Sequence, residues 1–440
     1  MTSAARAALL ALLLALPLPP AVASAQPATQ PAAARAVPAA SGDTLASLND
    51  RARQALEKDR PGEAVELLER ARKLDPQQPV ILQNLAWAYF KRGQQALGQY
   101  RLDQAGADYR QAVAFNPDEG GYRMHLGQLL LRRYRLDEAE SVVGELLEQH
   151  PEHLDAWLVM GDIASLQDDL PGAQEAYEKA AVSTDAELAG LARAAADRTA
   201  RQHAVEKDYR TDTTPFFVIR GPAQSKGPLM SVRLANVLDR ARAEVCGALN
   251  VSPQRRATVV LYPPDAFREV TGTHAWVGGL FDRKIRLPIA DVERDLDQIE
   301  ASFRHEFTHL IVSEMAPGCP VFLNEGLAEV MGEGRGKGLA KLAEWLDARK
   351  LARDSLPGVL ELPASFMEIG DPERVEQAYL LSYAFVDHVV QFHGLGPVVN
   401  WIVEVGARPV DEAYRAATGR ALADEESLFR EQLRQVRPRR

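Results

Sequence analysis

The chain of 440 residues has few cysteines and no excess of basic residues. Its two cysteines, Cys246 and Cys319, are too few for a disulfide scaffold or a cysteine-based zinc site, and leave open a single bridge in an oxidising compartment. The formal net charge of −10 argues against a nucleic-acid partner, since phosphate backbones select a basic face. With 46% hydrophobic residues, a chain of this length is instead expected to fold into two or three soluble domains.

Long apolar runs are also scarce. The apolar stretch at residues 7–18 is shorter than the roughly 20 residues of a membrane-spanning helix. It follows Arg6 and precedes the small residues Ala23, Ser24 and Ala25, which predicts a signal peptide over residues 1–25 rather than an uncleaved anchor. Residues 26–42 are mostly Ala, Pro and small polar residues, and are expected to be a disordered linker. The mature protein is therefore expected in the periplasm or outside the cell, without a stable membrane anchor.

A pattern of small, large and small residues ending in proline recurs from about residue 45. Its copies are Ala64, Leu68, Ala71, Pro76; Ala105, Tyr109, Ala112, Pro117; Ala139, Val143, Leu146, Pro151; and Ala173, Tyr177, Ala180. Pro117 and Pro151 are 34 residues apart but Pro76 and Pro117 are 41 apart, which predicts a seven-residue insertion near residues 94–100. In the first helix of each copy, Ala86 aligns with Gly127 and Gly161.

This pattern resembles tetratricopeptide repeats. The resemblance implies an all-α solenoid whose concave surface binds a peptide or protein partner. Asp185 replaces the proline of the fourth copy, so we expect a capping helix over residues 186–209. The repeat domain is thus predicted to span residues 43–209.

The periodicity changes after this point. Residues 216–219, 257–262, 275–281 and 284–288 have the composition of short strands, and residues 232–249 that of a helix. A small mixed sheet followed by a mostly helical part is expected over residues 210–440. The predicted fold class is therefore α+β and multidomain.

The motif HEFTH occupies residues 305–309 in a helix-compatible run. Residues four apart share one face of a helix, so His305 and His309 can bind one ion while Glu306 lies beside it. Zinc suits neutral imidazole and carboxylate ligands, and a catalytic zinc keeps one position for water. The alternative, a surface helix with two solvated histidines, is disfavoured by apolar neighbours such as Phe307 and Leu310.

A third ligand is required, and Glu325 in the string PVFLNEGLAE is the candidate. Such a site acidifies the bound water, and Glu306 is placed to take its proton as the general base. Glu329 lies four residues beyond Glu325, on the same helical face. We expect its carboxylate to orient a ligand histidine through the other ring nitrogen.

These motifs resemble the gluzincin metallopeptidases, and most closely the peptidase-MA-like domains of bacterial tetratricopeptide proteins. The resemblance covers about residues 210–433 and implies zinc bound by His305, His309 and Glu325. It also implies an oxyanion-stabilising tyrosine, for which Tyr379 is the candidate and Tyr383 the reserve; both are alternatively core residues. The aminopeptidase motif G-x-M-E-N is missing from the sequence, which favours an endopeptidase.

Gly278 and Gly279 precede the motif in a predicted strand and would permit close backbone approach, so we expect this edge to pair with substrate. An ordinary bend in a hairpin is the alternative. The leading prediction is a zinc-dependent envelope peptidase with a protein or peptide substrate. The alternatives are a non-enzymatic scaffold with a structural or vestigial zinc domain, and a zinc hydrolase of non-peptide amides or esters.

Overall fold

The computed structural model describes residues 44–99, 101–222, 232–253, 255–271, 280–289, 296–363, 365–366, 369–406 and 408–436. The predicted signal peptide (1–25) and linker (26–42) lie outside the described residues. The described part forms two compact units, one ending at Asp197 and the other beginning at Arg198. This boundary falls inside a helix that ends at Glu206.

The first unit is built from consecutive antiparallel helices that pack in pairs. They are α1 (Leu45–Glu57), α2 (Pro61–Leu74), α3 (Pro79–Gly98), α4 (Leu102–Phe115), α5 (Gly120–Arg132), α6 (Leu136–Gln149), α7 (Leu154–Leu166), α8 (Leu170–Ala180) and the part of α9 (Ala186–Glu206) up to Asp197. Each pair matches one copy of the sequence repeat, and the alanines of that pattern are buried where the helices cross. The spacing of small residues thus sets how closely the paired helices approach.

The seven extra residues of the second repeat lengthen a helix. Helix α3 has 20 residues, whereas α5 has 13. A Cβ atom on Gly127 would lie 2.4 Å from Val143, and one on Gly93 would lie 2.6 Å from Tyr109. The residue packed against Tyr109 is therefore Gly93, and the predicted equivalence of Ala86 with Gly127 is wrong. Gly93 and Gly127 are 34 residues apart, so the extra residues lie before Gly93 and not near residues 94–100 as predicted. Seven residues make nearly two helical turns, so Ala86 and Gly93 lie on almost the same face.

Asp185 explains why the fourth repeat lacks its proline. Its carboxylate accepts hydrogen bonds from the backbone N–H groups of Glu187 and Leu188, at 2.8 and 3.1 Å. These N–H groups have no partner within the helix, so the side chain caps the N-terminus of α9. The predicted capping helix is present, but it ends at Glu206 and Tyr209 begins a strand.

The second unit contains a five-stranded mixed sheet. Its strands are β1 (Tyr209–Thr213), β2 (Phe217–Pro222), β3 (Ala257–Tyr262), β4 (Leu280–Phe281) and β5 (Ile285–Pro288), in the order β1-β2-β3-β5-β4. Strands β2, β3 and β5 are parallel, and β1 and β4 are antiparallel edge strands. Strand β1 was not predicted. Most of the strand expected at 275–281 lies outside the described residues.

Helices cover the sheet and complete the unit. They are α10 (Val232–Leu249), α11 (Pro264–Thr271), α12 (Leu296–Met315), α13 (Val321–Glu333), α14 (Gly338–Ala348), α15 (Pro372–His393), α16 (Leu395–Glu404), α17 (Val410–Thr418) and α18 (Leu422–Gln435). Helix α12 packs on β4 and β5, and α13 packs against both α12 and α15. The ring of Phe303 on α12 contacts Phe217 of β2 edge to face, with centroids 5.6 Å apart.

The described residues therefore form a mostly helical structure with one small mixed sheet. Within the described ranges, no helix combines the length and the apolar character needed to cross a membrane. Cys246 and Cys319 are both free thiols, so the bridge left open by the sequence does not form.

Candidate metal centre

Two consecutive helices bring the three predicted ligands together. His305 and His309 lie one turn apart on α12, and Glu325 lies near the start of α13. The Cys319 N–H donates to the Ala316 carbonyl in the turn between these helices. The chain reverses there, so the first part of α13 faces the later part of α12.

The ligand atoms converge on one point. The Nε2 atoms of His305 and His309 are 3.1 Å apart, and Oε2 of Glu325 lies 3.8 and 3.5 Å from them. Three atoms held at 2.0–2.2 Å from one tetrahedral ion would stand about 3.3–3.6 Å apart. The triangle thus has the size that a zinc ion requires, and all three side chains are buried.

Two carboxylate oxygens in this centre lack hydrogen-bond partners. They are Oε2 of Glu325 and Oε2 of Glu306, in residues only 4% and 3% exposed. Burial, together with the neighbouring carboxylates, raises the pKa of both groups well above the usual value. A buried acceptor without a donor is costly, and a divalent cation with a water molecule would satisfy both oxygens. The residues therefore fit a zinc ion.

Glu306 also lies near the edge of the sheet. The backbone N–H of Phe281, in edge strand β4, partly offsets the rise in the pKa of Glu306. Oε2 of Glu306 remains without a hydrogen-bond partner.

The second ring nitrogens of the histidines face α13. Nδ1 of His309 lies 3.0 Å from Oδ1 of Asn324, and Nδ1 of His305 lies 3.9 Å from Oε1 of Glu329. Glu329 thus lies near His305, but its Oε1 is beyond hydrogen-bond distance of Nδ1. The role of Asn324 was not predicted, although this residue directly precedes Glu325. Burial lowers the pKa of His309 to about 4, so this ring is neutral and able to bind a metal at neutral pH.

Helix α13 packs closely against α15 at Gly326. A Cβ atom on Gly326 would lie 2.4 Å from Cγ2 of Val386 and 2.5 Å from the carbonyl oxygen of Ser382, both on α15. A larger residue than glycine would prevent α13 from approaching α15 this closely. The position of α13, and with it that of the adjacent Glu325, therefore depends on Gly326. The role of Gly326 was not predicted, because its contact is with a helix about 60 residues away in sequence.

The two candidate tyrosines occupy different environments. Tyr379 is buried, and burial together with the charges of Glu325, Glu329 and Glu306 raises its pKa well above the usual value. Its hydroxyl group therefore stays protonated close to the carboxylates. The hydroxyl of Tyr383 instead donates to the Gly334 carbonyl at 2.6 Å, which anchors the loop after α13. Gly278 and Gly279 lie outside the described residues.

A comparison with protein-family models finds a likeness in the first unit. The model described as tetratricopeptide repeat matches residues 96–163. This match agrees with the helix pairs and confirms that the chain contains tetratricopeptide repeats. Repeats of this kind form extended surfaces that bind protein partners. The candidate metal centre lies outside the matched region.

No curated protein matches the chain. Solved structures with some likeness include a tetratricopeptide-repeat protein from Thermus thermophilus, with 19% identity, a TM-score of 0.23, and coverage of 34% of this chain and 98% of that chain. Another is MamA from Desulfovibrio magneticus, with 21% identity, a TM-score of 0.28, and coverage of 38% and 93%. A mutant O-GlcNAc transferase from Thermobaculum terrenum has 14% identity and a TM-score of 0.26, with coverage of 89% and 92%. At these scores the likeness adds nothing to the repeat assignment.

Proposed function

We propose that the protein is a zinc-dependent hydrolase, and specifically an endopeptidase, whose repeats recruit a protein or peptide substrate. The observation that supports this function best is the convergence of His305, His309 and Glu325 beside the unpaired Oε2 of Glu306. A purely structural zinc is enclosed by four protein ligands, whereas three ligands with an adjacent free carboxylate are typical of a catalytic site.

In this proposal His305, His309 and Glu325 hold the zinc. When bound by these residues, zinc would supply Lewis-acid chemistry, which would polarise the scissile carbonyl and acidify a water molecule. Glu306 accepts a proton from the water that attacks the carbonyl carbon, and delivers it to the amine nitrogen as the carbon–nitrogen bond breaks. The Tyr379 hydroxyl donates a hydrogen bond to the oxygen that gains negative charge.

The proposed endopeptidase activity rests on two features. The sequence has no counterpart of the motif with which gluzincin aminopeptidases bind a free N-terminus. In addition, β4 is an edge strand whose Phe281 N–H helps to lower the pKa of Glu306, so a peptide paired along this edge would pass the general base. The same ligands would also serve hydrolysis of a non-peptide amide or ester. We further propose export to the periplasm or cell exterior, in line with residues 1–25.

A non-enzymatic interaction scaffold is the second candidate. The comparisons with known proteins favour it over hydrolysis, because the matched family model covers part of the repeats. In this case the repeats bind a protein partner, and the zinc domain is structural or vestigial. The two functions differ in one measurable respect, since a scaffold captures its partner without cleaving it.

The deciding experiment compares wild-type protein with Glu306→Gln. Hydrolysis of a panel of unfolded proteins and peptides is followed by mass spectrometry, and bound zinc is measured by elemental analysis. We expect Glu306→Gln to lower hydrolysis roughly 10²–10⁴-fold with zinc still stoichiometric. Asp297→Asn, at an exposed position on α12, should leave both unchanged. Wild-type rates in Glu306→Gln would refute the proposed mechanism, and partner capture without cleavage by the wild type would establish the scaffold.

A further inference from the structure

The last turn of α13 packs against the start of the HEFTH segment of α12. A Cβ atom on Gly332 would lie 3.1 Å from Cβ of His305 and 3.2 Å from the Ala301 carbonyl oxygen. Glycine at this position therefore lets the two helices meet beside a candidate zinc ligand. Glu325 lies near the start of the same 13-residue helix, so a movement of the end of α13 also moves its carboxylate.

Arg304 binds the end of this helix. Its Nε atom donates a hydrogen bond to the Met331 carbonyl at 3.0 Å. Met331 lies in the last turn of α13, and Gly334 ends the helix with a left-handed φ of 96°. A carbonyl in the last turn has no regular donor within its own helix, so the guanidinium supplies the partner. Its positive charge also faces the negative end of the helix dipole.

Carboxylates from two helices hold the Arg304 guanidinium in this position. Its Nη1 atom lies 3.0 Å from Oε1 of Glu300, one turn earlier on α12, and 3.3 Å from Oε2 of Glu244 on α10. Oε1 of Glu300, a buried residue, also accepts a hydrogen bond from Nε of Arg240 at 2.9 Å. Because a guanidinium is planar, the carboxylates at Nη1 also restrict the direction in which Nε donates.

Helix α13 is thus attached to α12 near both of its ends. Oδ1 of Asn324 lies 3.0 Å from Nδ1 of His309 near the start of α13, and Arg304 binds Met331 near its end. A single attachment would let the helix pivot, whereas two attachments restrict its angle. Glu325 lies between them, so this angle determines where its carboxylate meets the two histidines.

We propose that Arg304 is a positioning residue of the candidate metal centre. By holding the end of α13 on α12, it sets the place at which Glu325 meets His305 and His309. The meaning of this position for zinc rests on the proposed function. The attachment of α13 does not, because the hydrogen bond from Arg304 to Met331 requires no metal.

Arg240 provides a matched control. It donates to the same Glu300 carboxylate as Arg304, but it lies on α10 and its side chain is exposed. Replacing Arg240 with Met removes a guanidinium from Glu300 and keeps the bond between Arg304 and Met331. An effect that arises only from the loss of an ion pair at Glu300 would therefore be the same in Arg240→Met and Arg304→Met.

The experiment measures the zinc affinity of the full-length protein by competition with a chromophoric chelator. Arg304→Met should bind zinc about tenfold or more weakly, as is typical when a group that supports a ligand is removed, and Arg240→Met should stay within about twofold of the wild type. Wild-type affinity in Arg304→Met, or an equal loss in both variants, would overturn the proposal.

Arg304→Lys replaces Arg304→Met if that variant does not fold. A single ammonium cannot bind the Met331 carbonyl and the Glu300 carboxylate in the fixed directions of the guanidinium. Weaker zinc binding by Arg304→Lys therefore again supports the proposal, and wild-type affinity overturns it.

The visible spectrum of bound Co²⁺ separates positioning from stability. Its absorption bands depend on the number and arrangement of the ligands. Both Arg304→Met and Arg240→Met should be less stable in urea, since each loses an ion pair at Glu300, but only Arg304→Met should change the Co²⁺ bands through a displaced Glu325. Unchanged bands in Arg304→Met would show that Glu325 keeps its place and would contradict the proposal.

Amide exchange covers the case in which the wild type binds no zinc and the proposed function fails. The Gly334 N–H donates to the Val330 carbonyl at 3.2 Å in the last turn of α13. In the metal-free protein, Arg304→Met should accelerate exchange of this amide about threefold or more, and Arg240→Met should not. Equal exchange in Arg304→Met and the wild type would show that Arg304 does not hold the end of α13.

Discussion

The side-chain oxygen of Asn324 lies 3.0 Å from Nδ1 of His309, across the interface of α12 and α13. An acceptor at this position favours the tautomer with hydrogen on Nδ1, so the lone pair of Nε2 faces His305 and Glu325. The Asn324 side chain thereby fixes the orientation of the His309 ring and the tautomer in which Nε2 can bind a metal.

Asn324→Ala should therefore weaken zinc binding. Loss of such a partner typically lowers metal affinity about 10–100-fold, because the ligand ring becomes free to rotate and to change tautomer. The dissociation constant can be measured by competition with a chromophoric chelator. Asn84→Ala, which removes an amide bonded to Asn49 in the repeats, should leave zinc affinity unchanged. Equal affinity in wild type and Asn324→Ala would show that Asn324 does not orient His309.

The environments of the two tyrosines predict different effects of removing a hydroxyl group. Tyr379→Phe should lower kcat for peptide hydrolysis roughly 10²–10³-fold with little change in KM, because the proposed bond forms only as charge develops. Tyr383→Phe loses a bond to the Gly334 carbonyl and should mainly lower thermal stability. Steady-state kinetics and thermal unfolding of both variants separate the two roles. A catalytic loss in Tyr383→Phe alone would reverse the assignment.

Local sequence patterns predicted many of the helices and strands of this structure. The alanine and proline spacing predicted the helix pairs, and the strand at Ala257–Tyr262 and the helix at Val232–Leu249 have the expected bounds. Strand β1 was missed because its residues alternate weakly and are mostly exposed or half-buried. It pairs as an edge strand with β2, and this partner does not show in the local pattern.

The candidate site was also predictable only in part. Helical spacing predicts that His305 and His309 share a face, and the need for a third ligand led to Glu325. The contacts of Asn324 and Gly326 depend on how α13 packs between α12 and α15, which no local pattern specifies. The seven-residue insertion is a further example. The proline spacing predicts the number of extra residues, but only the packing of Gly93 on Tyr109 shows where they lie in α3.

A second buried cluster lies among the last helices. Nε2 of His388 is 3.0 Å from Oε1 of Glu425, and Nε2 of His393 is 2.9 Å from Oε2 of the same carboxylate. Burial alone would raise the pKa of Glu425, but hydrogen bonds from His393 and Tyr414 lower it below the usual value. Burial lowers the pKa of His388. The cluster connects α15 to α18 and supplies no ligand to the metal centre.

These shifts predict a stability that falls in acid. As the pH drops below about 6.5, the unfolded chain protonates His388 before the folded chain does, which favours unfolding. The contribution of Glu425 is present above its unfolded pKa and is lost as the pH falls through the lower folded value. We expect Glu425→Gln to cost about 1–3 kcal/mol from pH 7 down to the unfolded pKa of about 4.5, and progressively less below that pH. Urea unfolding at several pH values tests this, with Glu431→Gln, exposed on α18, as a control without effect.

Two glycine substitutions are expected to have opposite effects on stability, because Gly326 lies at the close contact of α13 with α15 and Gly247 does not. Gly326→Ala should destabilise the protein by about 1–3 kcal/mol, because its Cβ would overlap Val386 and the Ser382 carbonyl. Gly247 lies in α10, and among the described residues no atom beyond its neighbours in that helix lies within 4 Å of the place that a Cβ would take. Gly247→Ala should therefore stabilise the protein by about 0.4–1 kcal/mol, because it restricts the unfolded chain. Urea unfolding gives both values.

Because any outward shift of α13 also moves Glu325, Gly326→Ala should bind zinc more weakly, whereas Gly247→Ala should not. A neutral Gly326→Ala would show that α15 yields easily, and the position of Glu325 would then need another explanation.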